Sequence, residues 1–145
     1  MATTTSPTSA SLTSPTAALD PARPLHDDVL SRLDYRTRRL ATPRARALPG
    51  HYLAVGDAAG DEHVIPIESR VMHLGRSTAA DIRFEDAHVS RRHAIVVRYG
   101  RHVRVLDDRS SAGTFVNGAR IIAAELSDGD VVRLGPVTVR YVVVR

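Results

Sequence analysis

From His51 to Arg145, short runs rich in Val, Ile, Tyr and Phe alternate with Gly, Asp, Asn and Ser. That grain, with strands recurring about every 8–12 residues between turn signals, restricts the chain to an all-β architecture of many short strands. Strands are expected over Tyr52–Val55, His63–Ile67, Val71–Leu74, Ile82–Phe84, His93–Tyr99, His102–Leu106, Thr114–Val116, Val131–Leu134 and Val137–Val143. The runs beginning at His102 and Val137 alternate apolar with polar, as a strand with one buried face must. Gly56-Asp57, Tyr99-Gly100-Arg101, Asn117-Gly118, Asp128-Gly129-Asp130 and Gly135-Pro136 supply the turns. Asn117 and Gly118 both tolerate positive φ, and they separate Thr114-Phe-Val from Ala119-Arg-Ile-Ile, so a type I′ hairpin is expected there. Its plainest reading is a structural turn with no ligand contact. Nothing from His51 onward has the period of a long helix, and an antiparallel β-sandwich follows.

The first third of the chain is different in kind. Residues 1–24 are rich in Thr, Ser, Ala and Pro, too poor in apolar surface to offset their ordering entropy, and are read as a disordered leader. Residues 25–49 form a basic flank in which Leu25, Val29, Leu33 and Leu40 fall near helical spacing, so a short amphipathic helix is expected. Thr42-Pro43 and Pro49-Gly50 end that pattern, and residues 50–145 are left as the folded domain. Met1–Ala18 lacks the basic and apolar regions of a signal peptide, and no run reaches the ~20 apolar residues of a membrane span. With no cysteine there is neither a disulfide framework nor a thiolate metal site. A soluble cytoplasmic protein is expected.

The net charge of +4 invites a nucleic-acid reading, but its distribution argues otherwise. Every basic residue is arginine, and residues 51–145 carry 13 arginines against 12 acids. The excess lies in the flank, in Arg32, Arg36, Arg38, Arg39, Arg44 and Arg46. That run has only Tyr35 as an interleaved aromatic, and a solvated face is favoured over a nucleic-acid or membrane contact.

In a sandwich, function is carried by the loops at one end. Three loops combine guanidinium or hydroxyl groups with small residues: Leu74-Gly-Arg-Ser77, Val89-Ser-Arg-Arg-His93 and Arg109-Ser-Ser-Ala-Gly-Thr114. A phosphate ester dianion needs that set, because a guanidinium fork, short hydroxyls and exposed amides all donate to it. Each charge-assisted hydrogen bond contributes about 1.5–3 kcal/mol. Three or four of them, less the cost of association, give an affinity on the order of micromolar.

Leu74-Gly75-Arg76, Ser90-Arg91-Arg92-His93 and Ser110-Ser111-Ala112-Gly113-Thr114-Phe115-Val116-Asn117-Gly118, in that order, resemble the signature of the forkhead-associated (FHA) domain. The resemblance covers residues 51–145. It implies an 11-stranded antiparallel β-sandwich of the FHA/SMAD-like type that binds phosphothreonine peptides, with no enzymatic activity and no cofactor. By position, Arg76 resembles the phosphate-contacting arginine, and Ser90 the serine whose hydroxyl and amide hold the phosphate. Arg91 resembles a residue that often adds a phosphate contact, and Ser111 a residue lining the pocket. Gly75 and His93 match architectural positions, as do Gly113, Asn117 and Gly118. One departure stands out: Ala112 replaces the asparagine that, in the family, hydrogen-bonds the main chain of the bound peptide. The resemblance also implies a phosphothreonine-containing partner, a kinase or a kinase substrate.

Other readings of the same residues are open to test. His93, Ser90 and Asp86 lack the strand-turn-helix elbow of a serine nucleophile, so hydrolase chemistry is not expected. The seven histidines are scattered, with none paired for metal binding on a helix. A phosphate-independent interaction module stays open as an alternative, because Ala112 weakens the peptide anchor. So does occupation of the pocket by a phosphorylated tail, since Thr3, Thr4, Thr5, Thr8, Thr13, Thr16 and Thr42 lie in sequence read as flexible, tethered at high effective concentration.

Overall fold

The computed structural model describes residues 28–145. The leader, Leu25 and the threonines before residue 28 therefore lie outside the described residues. Among the described residues twelve strands make two sheets. Strands β1 (Thr42–Pro43), β2 (Gly50–Gly56), β3 (Glu62–Pro66), β8 (Thr114–Val116), β9 (Ala119–Ile121), β11 (Val131–Leu134) and β12 (Val137–Val144) form the first. Its order is β1-β3-β2-β12-β11-β8-β9. Strands β4 (Val71–Gly75), β5 (Ile82–Arg83), β6 (Ala94–Tyr99), β7 (His102–Asp107) and β10 (Ala123–Leu126) form the second, in the order β10-β7-β6-β4-β5. Strands β2 to β12 are the eleven of the expected sandwich, and β1 is a twelfth contributed by the flank. The pairing is antiparallel except between β4 and β5, which run parallel.

The core fills the space between the sheets. Leu53, Val55 and Ile65 from one side meet Leu74, Val96, Val103 and Val105 from the other, all buried. Alternation places them: in β7, Val103 and Val105 point inward while His102 and Arg104 face solvent. Each such side chain contributes about 1.5–3 kcal/mol by leaving water.

All nine expected strands occur, with ends displaced by a residue or two. Strand β9 is the second arm of the expected hairpin, and Val116 faces Ala119 across it. Asn117 and Gly118 take φ of 50° and 87°, the left-handed values a type I′ turn requires. Strand β10 carries no strand signal. Its Ala-Ala-Glu-Leu sequence is held at a sheet edge by pairing with β7, and only Leu126 is buried. Between β9 and β10 the chain crosses from one sheet to the other at Ile122, whose side chain is fully in solvent and whose carbonyl accepts the Asp107 N–H.

The flank departs from the single helix expected over residues 25–40. Leu30–Arg32 makes a 3₁₀ turn, Leu33 bridges to Phe84, and only Tyr35–Arg38 is α-helical (α1). Asp34 is the breaker: its backbone is extended, its N–H goes to the Arg83 carbonyl, and its carboxylate caps α1 through the Thr37 N–H. Val29 and Leu33 are buried in the main core, as their spacing suggested, whereas Leu40 is exposed. Thr42 is not in flexible chain; it pairs with Val64 in β1–β3. Further along, Ala47 covers Ala54, Val64 and Val142 on the outer face of the larger sheet. There the Glu62 carboxylate accepts from Arg44 and from the buried Arg140. Among the described residues no helix is long and apolar enough to cross a membrane.

Candidate functional site

Three loops meet at one end of the sandwich: the one leaving β4, the one entering β6 and the one joining β7 to β8. Gly75 sets the distance between the first two. A Cβ on Gly75 would stand 2.1 Å from the Arg91 carbonyl oxygen and 2.9 Å from that of Ser90, so only glycine lets these backbones touch. The architectural role of Gly75 is this close approach of backbones. Beyond this contact the Arg76 N–H donates to the Ser90 carbonyl (3.0 Å) and the Ser77 N–H to that of Arg91 (3.1 Å).

His93 ties the second loop to the third. It is fully buried; its Nδ1 accepts the Ser90 N–H at 3.0 Å, and its Nε2 lies 2.9 Å from the Gly113 carbonyl. A carbonyl can only accept and the amide can only donate, so the imidazole is neutral with its proton on Nε2. His93 thus braces the loop carrying Ser90 against the loop carrying Gly113. The Ser90 amide, expected to share in holding phosphate, is spent on His93. The Ser90 hydroxyl accepts the Ser111 N–H at 3.0 Å and keeps its own proton to donate outward.

The third loop is shaped by Asp107. Its carboxylate accepts from the Ser110 N–H, the Ser110 hydroxyl and the buried Thr114 hydroxyl. Burial pushes this carboxyl up, but the bonds from Ser110 and Thr114 outweigh it and hold the group below the usual carboxylate range. The Ser110 hydroxyl in turn accepts the Gly113 N–H, and Gly113 takes φ 91° with the Arg120 guanidinium packed against it.

These contacts bring Ser90, Arg91 and Ser111 to one cavity of about 370 Å³, which Arg92, Asp108 and Arg109 also line. Arg76 borders it through its backbone contact with Ser90. Its Nε donates to the Val89 carbonyl, which fixes the side chain, and among the described residues its terminal nitrogens have no partner. Asp108 is the carboxylate of the lining and pairs with Arg92 at 3.1 Å. Arg92 is exposed but held by that pair. Among the described residues the side chains of Arg91 and Arg109 have no hydrogen-bond or ion-pair partner, so the cavity is cationic. Ala112, next to Ser111 in the chain, is exposed and is not among the lining residues.

Asn117 and Gly118 lie outside this cluster, as a structural role implies. Asn117 is buried; its amide donates to Asp130, its carbonyl oxygen accepts the Val131 N–H, and so it fastens the hairpin to β11. Arg109 and Ser110 stand in the third loop of the sequence pattern with no role of their own, and Asp107 is absent from it. Arg109 adopts φ 58°, a left-handed conformation that costs a side-chain-bearing residue about 1–2 kcal/mol, and no residue pattern announces an arginine there.

Residues 72–135 match the model of the FHA domain family. The oxoglutarate dehydrogenase inhibitor of Corynebacterium jeikeium is 32% identical over 126 residues, spanning 83% of this chain and 86% of that one. An ABC transporter ATP-binding/permease protein of Mycobacterium tuberculosis is 45% identical over 64 residues, which is 44% of this chain but 7% of the transporter. Among solved structures, a domain studied for phosphothreonine-dependent FHA interactions superimposes with a TM-score of 0.59 at 30% identity, covering 66% of this chain and 97% of that one. The chain belongs to the FHA domain family.

Proposed function

We propose that this chain is a phosphothreonine reader that docks a phosphorylated protein in Ser/Thr kinase signalling. The observation that carries the reading is the convergence of the Ser90 hydroxyl and the unpaired Arg91 on one cationic cavity beside Arg76. The phosphate accepts from the Arg76 guanidinium, the Ser90 hydroxyl and Arg91, and Ser111 lines the pocket beside it. Every one of these groups is a donor, as a dianion requires. The likeness to a domain with phosphothreonine-dependent interactions supports the same ligand class.

The site is a binding site and not a catalytic one. His93 is enclosed between two loops with both ring nitrogens engaged, so it has no lone pair to offer Ser90 as a base. The reader unit is residues 50–145, with residues 25–49 as a basic flank and residues 1–24 as a leader, and it works in the cytoplasm. The partner is a kinase or a kinase substrate. Retention of a degenerate phosphothreonine library on the immobilised full chain, with the unphosphorylated library washing through, is the expected result. Equal retention of both libraries would overturn the reading in favour of a phosphate-independent docking module, which the loss of an asparagine at Ala112 would suit.

A further inference from the structure

Arg109 occupies a backbone conformation that glycine takes freely and other residues resist, at φ 58° in the loop between β7 and β8. Local strain of this kind persists where the surroundings hold the residue in place, and it clusters at ligand sites. Here the residue that bears the strain also lines the cavity next to Ser90, together with Arg91. Among the described residues neither guanidinium has an anionic partner, and the carboxylate of the lining, Asp108, is already paired with Arg92. The cavity, about 370 Å³ in volume, thus carries two uncompensated guanidinium groups in addition to Arg76 at its border. A single phosphate held by Arg76, Ser90 and Arg91 leaves Arg109 without a counter-charge.

We propose that Arg109 is a specificity-determining residue that reads a second anionic group on the same peptide, a carboxylate or a second phosphate near the phosphothreonine. The proposal rests on the phosphothreonine reading above. The favoured partner is then an acidic or multiply phosphorylated segment, and Arg109 contributes to affinity only when that second charge is present. Glycine at this position would relieve the backbone strain and abolish the second contact, which separates stability from specificity.

The experiment titrates four fluorescent peptides of one Ala-Ser-Gly frame into the full chain and its Arg109→Gly variant. They carry phosphothreonine with glutamine neighbours, phosphothreonine with glutamates on both sides, a second phosphothreonine in place of the glutamates, or unphosphorylated threonine with the glutamates. For the unaltered chain, the glutamate or the doubly phosphorylated peptide is expected to bind about fivefold tighter than the glutamine peptide at low salt, the scale of one partly exposed charge pair. Arg109→Gly should bring all the phosphopeptides to the affinity of the glutamine peptide while raising the melting temperature. A gain with glutamates assigns the carboxylate, and a gain confined to the second phosphate assigns phosphate. Equal affinities for all the phosphopeptides in the unaltered chain would overturn the proposal, as would a variant that weakens every phosphopeptide alike. If no phosphopeptide binds better than the unphosphorylated one, it is the parent reading that fails.

Discussion

The buried His93 accepts the Ser90 amide on one ring nitrogen and donates to the Gly113 carbonyl from the other, so one neutral imidazole spaces the two loops that form the cavity. His93→Ala leaves a buried donor and a buried acceptor unpaired at once. The expected cost is about 2–4 kcal/mol of folding stability, read from urea denaturation. His93→Gln, which can both accept and donate, should recover part of it. Equal losses in the two variants would mean that the ring acts by volume alone.

Gly75 tests the same spacing from the other side. In Gly75→Ala the new methyl meets the Arg91 carbonyl, which is backbone and cannot swing away. Displacing the loop is expected to cost about 1–3 kcal/mol of stability. Phosphopeptide affinity should fall about tenfold, because Ser90 and Arg91 move together. Calorimetry on the folded variant measures it; unchanged affinity would place the ligand elsewhere.

Asp107 gives the fold a pH dependence. Its burial raises the carboxyl and the bonds from Ser110 and Thr114 lower it further, so the net shift is downward and the folded state favours the charged form. The resulting stability is complete above the ordinary carboxylate value of about 4 and is lost as pH falls through the lower folded value. The gap in melting temperature between the unaltered chain and Asp107→Asn should therefore be flat from about pH 8 to pH 5 and narrow below about pH 4. A gap that stays constant into strong acid would contradict this assignment.

Ala112 is exposed beside the lining residue Ser111, with no polar side-chain group to offer. Ala112→Asn adds an amide that can bond the main chain of a bound peptide, and affinity for a phosphothreonine peptide should rise about fivefold, or about 1 kcal/mol. The melting temperature should hold. No gain would indicate that the peptide leaves the cavity on another side.

Much of this was readable in the residues, and the exceptions have physical reasons. Alternation in Val103 and Val105 and the Asn117-Gly118 pair fixed strands and turn, because side-chain period and positive φ are local properties. Strand β10 was hidden because pairing with β7, rather than its own Ala-Ala-Glu-Leu composition, makes it a strand. The flank helix failed at Asp34, where a capping carboxylate and a bond to Arg83 outweigh helical spacing. At the site, Arg76, Ser90, Arg91 and Ser111 stood in a recognisable pattern. Asp107 did not, and Arg109 stood in the third loop with no role marked out, since their importance lies in hydrogen bonds and a backbone angle formed only on folding.

The central claim is that phosphate recognition runs through Arg76 and Ser90. Its most direct test is calorimetric titration of one library-selected phosphothreonine peptide into the full chain, Arg76→Ala and Ser90→Ala, with the unphosphorylated peptide alongside. The unaltered chain should bind the phosphopeptide with affinity on the order of micromolar, and Arg76→Ala should weaken it at least about tenfold, as loss of a charge-assisted bond requires. Ser90→Ala should cost about three- to tenfold, and the unphosphorylated peptide should give no heat. Equal binding by all three proteins, with or without the phosphate, would show that this sandwich engages its partner through another surface.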